Sequence, residues 1–371
     1  MKTVRIGIAG IGYIAEEYIR LISEGRIENL RVCAVSSRNA AHMRAVCEKY
    51  ALSDAELYTD YDRMLECAEI DAVMICTPHV LHAEMAEKAL ARGLHVLVEK
   101  PVSARIDEAQ ALVRAAQAHP QLICGVLYCK RTSASFGDLR RRIQSGEFGR
   151  LKRVNWMMTC FYRPDVYYAQ EWRGSWDKEG GGMLLTQASH HLDALVWLLG
   201  MPERVQAFCG FGVERAIETE NEALLQMWYP NDLTVQMIAS AREYPGTNRL
   251  EISGSRAQLV LEGERFARFR RLERDEAEYA RSAAEMYASI PYAEEAFEYG
   301  GCENAVQQAA IVNNFVRAVN GLEPVLCPIA EAAKSLELIN AAYYSAWRAE
   351  TVHLPLGADA YRTEWMRHAS H

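Results

Sequence analysis

The chain has 371 residues, half of them apolar and 24% charged, with a formal net charge of −8. That length gives a prior of two domains, and the apolar share is that of a globular protein with a sizeable core. The acidic balance argues against nucleic acid or an anionic membrane as the main partner, and no apolar run approaches the roughly 20 residues needed to span a bilayer.

Val4–Ala9 is a short apolar run rich in β-branched residues and reads as a buried strand. Gly7-x-Ala9-Gly10-x-Gly12-x-x-Ala15 leads it into a helix with apolar residues at Ile14, Tyr18, Leu21 and Ile22. Gly10-x-Gly12-x-x-Ala15 is the dinucleotide-binding fingerprint in its Ala-ending form. Gly10 allows the tight turn, Gly12 lets the backbone approach a pyrophosphate, and Ala15 lets the helix pack closely on the strand. The helix start, at Tyr13 and Ile14, offers free N–H groups and a positive dipole end to the phosphates.

Leu30–Ser36 is the second strand. In NAD-binding Rossmann folds an acid follows this strand and bonds the ribose 2′-OH. Here the chain reads Ser36-Ser37-Arg38-Asn39. Ser37 and Arg38 suit a 2′-phosphate better than a free diol, which points to NADP over NAD. The alternative is that Arg38 is a solvated turn residue.

Helices at Ala40–Tyr50, Tyr61–Cys67, Val80–Arg92 and Ala104–His119 then alternate with strands at Asp71–Cys76, Leu94–Val98 and Leu122–Leu127. Such alternation predicts a parallel, doubly wound sheet, an α/β Rossmann domain over residues 1–125. Ligands bind such sheets beyond the carboxyl ends of the strands. The Gly10–Ala15 loop, Ser37–Arg38, Thr77-Pro78-His79 and Glu99-Lys100-Pro101 all fall at those ends. Thr77, Pro78, His79, His82, Glu99 and Lys100 are therefore expected along the cofactor.

The pattern changes after residue 125. Ala134–Ser145 reads as a helix whose Arg140-Arg141-Arg142 run is a solvated face. Between a strand at Leu151–Cys160 and one at Glu203–Phe211 lies a loop dense in aromatics and arginine. Aromatic faces stack on sugar rings, and Arg donates to hydroxyls or carboxylates. Arg163, Tyr167, Trp172 and Arg173 are thus candidates for a carbohydrate-like subsite, the alternative being a packed hairpin or an interface. Gly180-Gly181-Gly182 leads into a helix read as continuous from Met183 to Leu199. On it Thr186 and His190 stand one turn apart on one face, with Gln187 able to point an amide at a ligand. His titrates near neutral pH and can take an alcohol proton. His191 points away and reads as a packing residue.

Further strands at Glu222–Tyr229, Leu233–Ser240, Asn248–Gly254 and Gln258–Glu262 are joined by turns, not helices. They predict an α+β domain over residues 126–371 with an open, mainly antiparallel sheet. Residues 264–299 read as irregular or helical charged surface. Glu303–Gly321 and Ile329–Glu350 read as helices, and Tyr361–His371 as a tail packed through Trp365 on a neighbouring element or subunit. The chain begins directly on a strand with no leader pattern ahead of it. Its ten cysteines form no Cys-x-x-Cys pair, so they read as reduced thiols of a cytoplasmic protein, with no metal framework.

Glu99-Lys100-Pro101 and the run from Gly180-Gly181-Gly182 to His190 and Asp193 resemble the Gfo/Idh/MocA oxidoreductases, the glucose–fructose oxidoreductase and inositol dehydrogenase group. The resemblance covers nearly the whole chain. It implies hydride transfer between NAD or NADP and a hydroxyl carbon of a sugar, sugar derivative or cyclitol. It places Lys100 beside the nicotinamide and the reacting hydroxyl, and makes His190 the substrate-contacting acid/base. It also implies a homodimer or homotetramer formed through the open sheet. The family Asp falls on Thr186, which can orient a hydroxyl but carries no charge, and this weakens inositol as the substrate. Two other readings stay open. One is a glycosidase or epimerase that oxidises a sugar hydroxyl transiently on a retained NAD. The other is a non-catalytic nucleotide sensor.

Overall fold

The computed structural model describes residues 1–170 and 172–369, so the last two residues of the expected tail lie outside it. Among the described residues, one sheet has six strands: β1 (Val4–Ala9), β2 (Leu30–Ser36), β3 (Glu56–Tyr58), β4 (Ala72–Ile75), β5 (His95–Val98) and β6 (Cys124–Val126). Their order is β3-β2-β1-β4-β5-β6. Every pairing is parallel. β4 is buried throughout and β1 almost so, as a sheet covered by helices on both faces requires. The strand order reverses direction between β1 and β4, which makes their carboxyl ends the topological switch point. The sequence pattern does not show β3: it is three residues long at the sheet edge, too short for an alternating signal. The helix expected over 80–92 begins as a tight turn at His79–Leu81 and becomes regular over His82–Ala91.

The chain divides into two compact units. The first contains Met1–Thr132, Asp177–Gly180 and Glu303–Glu337. The late stretch joins it through burial: Ile311, Val312, Phe315 and Val316 of the helix Asn304–Val319 share a core with Ile6, Ile8, Tyr18 and Ile19. A single cut at residue 125 assigns that stretch elsewhere, because hydrophobic periodicity shows that a helix is amphipathic but not which core it covers.

The second unit is built on β7 (Leu151–Met158), β8 (Arg204–Phe211), β9 (Glu220–Trp228), β10 (Thr234–Ser240), β11 (Asn248–Gly254), β12 (Ala257–Glu262), β13 (Phe266–Leu272), β14 (Tyr292–Glu298) and β15 (Val352–His353). They run in the order β14-β13-β12-β11-β7-β10-β9-β8-β15. All pairings are antiparallel except β10 against β7, which is parallel. Val154, Trp156, Leu225, Met227, Val235, Met237, Leu250 and Ile252 bury one face.

Residues 264–299 are not irregular surface. They supply β13 and β14 at the sheet edge, with a short helix Glu276–Ser282 between them. In β13 the alternation is there but disguised: Ala267 and Phe269 point inward, while Arg268 and Arg270 point outward. β14 buries almost nothing and is held by its ladder and by cross-strand ion pairs such as Arg270 Nε to Glu294 Oε2 at 2.6 Å. The tail helix Ala358–Ala369 buries Tyr361 and Trp365. It stacks His368 on Trp347 with ring centroids 4.4 Å apart. No helix among the described residues is long and apolar enough to cross a membrane.

Candidate active site

The first unit places four turns at the carboxyl ends of its strands. Gly10 follows β1 with φ +86°, and a Cβ there would meet the Cys76 carbonyl at 2.8 Å. Only glycine fits that turn. Gly12 caps the helix Tyr13–Ser23, and a Cβ on it would meet nothing within 4 Å. The first intrahelical bond runs from Glu16 N–H to the Gly12 carbonyl, so the preceding N–H groups face the loop. Ala15 is fully buried, Tyr13 is 82% exposed and Ile14 is half-buried. An open cradle, free donors and a positive dipole end fit a nucleotide pyrophosphate.

At the end of β2, Ser37 is half-buried and Arg38 is exposed. Ser37 N–H donates to the Tyr58 carbonyl, which ties this turn to β3. No carboxylate of the described residues lies within ion-pair reach of Arg38, so its charge is available to a ligand. At the end of β4, Thr77, Pro78 and His79 are half-buried, and His79 Nδ1 lies 3.2 Å from the Glu179 carbonyl oxygen. His82 is fully buried, with both ring nitrogens against backbone carbonyls, so its ring offers nothing to a cofactor directly.

The turn after β5 carries Glu99 and Lys100. Glu99 is buried and accepts from Tyr18 Oη at 2.8 Å and from the Lys100 backbone N–H at 2.9 Å. Burial pushes its carboxyl above the usual range, opposed by the nearby Lys100 charge and these donors. Tyr18 lies on the glycine-loop helix. One carboxyl therefore joins the phosphate-side helix to the lysine turn. Lys100 is half-buried.

The second unit assembles the other candidates around Tyr167. The Arg173 guanidinium lies 4.0 Å from the Tyr167 ring centroid and 4.1 Å from that of Trp172. Arg163 sits 5.2 Å from the same Tyr167 ring. The Tyr167 hydroxyl accepts from Arg173 Nη1 and from Gln187 Nε2, the latter at 2.8 Å. Gln187 Oε1 lies 2.7 Å from the Thr186 hydroxyl. Arg173, Tyr167, Gln187 and Thr186 are thus one polar chain.

The helix expected over Met183–Leu199 is broken. It runs Met183–Thr186 and then Ser189–Leu199. The Met183 carbonyl accepts from both Gln187 N–H at 2.9 Å and Ala188 N–H at 2.8 Å, a widened turn that resets the helical phase. Thr186 and His190 therefore do not share the face of one helix. His190 is half-buried, whereas His191 is buried, with Nε2 2.9 Å from Glu264 Oε1 and its ring edge-on to Trp156.

The residue that sequence reasoning missed is Glu220, fully buried on β9. Its carboxylate accepts from the N–H groups of Gly182 at 2.9 Å and Leu184 at 2.7 Å, and from Tyr343 Oη at 2.9 Å. Burial pushes its carboxyl up to about 7 despite these donors. It caps the short helix from a distant strand. The glycines are needed for this approach: a Cβ on Gly181 would meet Tyr343 Oη at 2.6 Å, and one on Gly182 would collide with the Glu220 carbonyl. The only sequence signal was an acid at the start of an apolar strand.

A switch-point glycine turn on a parallel sheet, with a buried Glu beside a lysine turn, defines a dinucleotide-binding protein of the oxidoreductase class. Residues 4–128 match the oxidoreductase family with an NAD-binding Rossmann fold, and residues 136–260 match the GFO/IDH/MocA C-terminal domain. The chain belongs to the Gfo/Idh/MocA family of NAD-binding oxidoreductases. An oxidoreductase of Synechocystis sp. is 27% identical over 278 residues, 70% of this chain and 72% of its own length. Inositol 2-dehydrogenase of Ralstonia nicotianae is 29% identical over 200 residues, 53% of this chain, and the match spans only 55% of that protein. The WlbA dehydrogenase of Bordetella pertussis, solved with NADH and UDP-GlcNAcA, shares the fold with a TM-score of 0.79. That match covers 96% of this chain and 100% of the other, at 23% identity.

Proposed function

We propose that the chain is a dehydrogenase or reductase acting on a hydroxyl carbon of a sugar, sugar derivative or cyclitol, with NADP preferred to NAD. The observation that carries the reading is the Glu99–Lys100 turn at the end of β5, braced by Tyr18 from the glycine-loop helix. Tyr13 and Ile14 hold the pyrophosphate through backbone N–H groups. Gly10 and Gly12 shape the turn that lets it approach, their own N–H groups donating to the Ser36 and Gly10 carbonyls, and Ser37 and Arg38 hold the 2′-phosphate. Thr77, Pro78 and His79 flank the nicotinamide end. A bound nicotinamide supplies the hydride acceptor. The Lys100 ammonium polarises the reacting hydroxyl and stabilises its alkoxide. His190 accepts the hydroxyl proton as general base. Arg163, Tyr167, Trp172, Arg173, Thr186 and Gln187 orient the ring. Thr186 carries no charge, so it orients a hydroxyl but does not stabilise an imidazolium as a carboxylate would.

The protein acts as a homodimer or homotetramer through the outer face of the second sheet. Phe208, Leu224, Ile238 and Met157 lie directly opposite one another across β8, β9, β10 and β7, and are 61%, 43%, 38% and 42% exposed. A row of large apolar side chains in register is a surface that a second copy covers. Ile238→Arg should shift the protein towards monomer in sedimentation; an unchanged oligomer removes this face from the interface.

The testing experiment releases cofactor from purified protein, measures its amount and phosphate state, and titrates the stripped protein with NAD and NADP. Exchangeable binding with NADP preferred, followed by turnover on a sugar and polyol panel, is the expected result. Tightly retained NAD with no net reduction favours a glycosidase or epimerase working by transient oxidation. Binding without turnover of any substrate favours a sensor.

A further inference from the structure

The helix His82–Ala91 opens with an imidazole that solvent does not reach. Its Nδ1 lies 2.7 Å from the Pro101 carbonyl oxygen, and its Nε2 lies 2.8 Å from the Thr77 carbonyl oxygen. A carbonyl oxygen accepts and never donates. A neutral imidazole has one N–H, so it would satisfy one carbonyl and turn a bare lone pair on the other at the same short range. The imidazolium donates to both. The two carbonyls belong to different turns: Thr77 closes β4, and Pro101 follows Lys100 at the end of β5. A single ring spans the gap between them.

We infer that His82 is a positioning residue that donates from both ring nitrogens, ties the Thr77 turn to the Lys100–Pro101 turn, and so sets where the Lys100 ammonium stands. The inference rests on the role given to Lys100 above. Two charged or titratable groups bear on the ring. Lys100 repels a proton on it, and His79 meets it edge-on with centroids 5.7 Å apart. Glu99 directs its carboxylate elsewhere, to Tyr18 and the Lys100 N–H. Burial is the largest influence on the ring and, with Lys100, lowers its pKa despite the two carbonyls that pull the other way. What favours a doubly protonated ring is the geometry of its two contacts. Both contacts are at charge-assisted hydrogen-bond lengths, and the Pro101 carbonyl, being buried, has no water to turn to.

The test has two readouts on the full chain. With 15N-labelled histidine, NMR counts the protons on the His82 ring nitrogens near neutral pH in the cofactor-free protein. Both nitrogens protonated is the expected result; one bare nitrogen overturns the double-donor link. That count uses the unaltered chain, so it stands whether or not a variant folds and whether or not a substrate is found. Second, His82→Gln removes the two-ended link. It should lower kcat by about 10²-fold, the cost of a misplacement of about 1 Å, with cofactor affinity by fluorescence titration little changed. An unchanged kcat, or an equal loss of cofactor affinity, overturns the positioning role. Failure of the unaltered protein to turn over any substrate would instead count against the dehydrogenase reading, and the proton count would still judge this one.

Discussion

In the first unit the candidate residues are carried by local backbone: each sits in a turn that directly ends a strand, and the turn follows from residues beside it in the chain. Gly10, Ser37, Thr77 and Lys100 follow β1, β2, β4 and β5 within two residues of each strand's end. In the second unit the candidate residues are carried by side chains from far away. Glu220 of β9 holds the Gly182 and Leu184 N–H groups, Tyr343 backs it, and Tyr167 holds Gln187. A site built on strand ends inherits the rigidity of the sheet. A site built on a capping carboxylate depends on one buried hydrogen-bonded cluster, and is lost when that cluster is.

Lys100→Met should give the largest effect. We expect turnover to fall by about 10³-fold with cofactor affinity retained, measured by steady-state kinetics and cofactor titration. Retained turnover would show that the lysine turn is structural, and the two units would then no longer divide hydride-side chemistry from substrate binding.

Glu220→Ala leaves two backbone N–H groups and a tyrosine hydroxyl buried without their acceptor. It should destabilise the protein by about 3 kcal/mol in urea unfolding, at about 1–3 kcal/mol per unsatisfied group with partial relaxation. Gly12→Ala is the matching change in the first unit. Its Cβ meets nothing within 4 Å, so stability should hold while cofactor affinity drops by about tenfold as the pyrophosphate loses its close approach. Equal stability losses in the two variants would erase the contrast.

Glu220 also sets a pH dependence. Its carboxyl rises from an ordinary 4.5 to about 7 in the folded protein. A raised folded pKa means the folded state holds the extra proton between those values. Its stabilising contribution is complete below the unfolded pKa and is lost as pH rises through the folded one, by about 3 kcal/mol. Glu220→Gln does not titrate, so its unfolding free energy should gain on the unaltered protein between pH 5 and pH 8; a constant gap between the two denies the shift.

The smallest effect concerns the cofactor's phosphate. Arg38→Ala should narrow the preference for NADP over NAD by about tenfold, the worth of one charge-assisted contact. Equal losses for both cofactors would make Arg38 a pyrophosphate contact, and no loss would make it a solvated turn residue.

Much of the first unit was legible in order along the chain. Strand, glycine turn and helix are set by neighbours within a few residues, and the parallel sheet follows from their alternation. The charged strand β13 and the edge strand β14 escaped notice because arginine and glutamate replace the polar half of the usual alternation, and β14 has almost no buried half. The break after Thr186 was equally hidden, since residues 183–199 keep a helical apolar pattern and the widened turn lies in the backbone.

The amino-acid sequence alone determined the nucleotide-binding sheet, its strand-end turns and the family, because those features depend on short-range spacing, backbone sterics and hydrophobic period. Only the tertiary structure decided that Glu220 caps the Gly181–Gly182 turn, that His82 faces two carbonyls, and that the helix Asn304–Val319 completes the first core. Each of those depends on which distant residue fills a buried hydrogen-bonding or apolar vacancy, and local spacing carries no record of that choice.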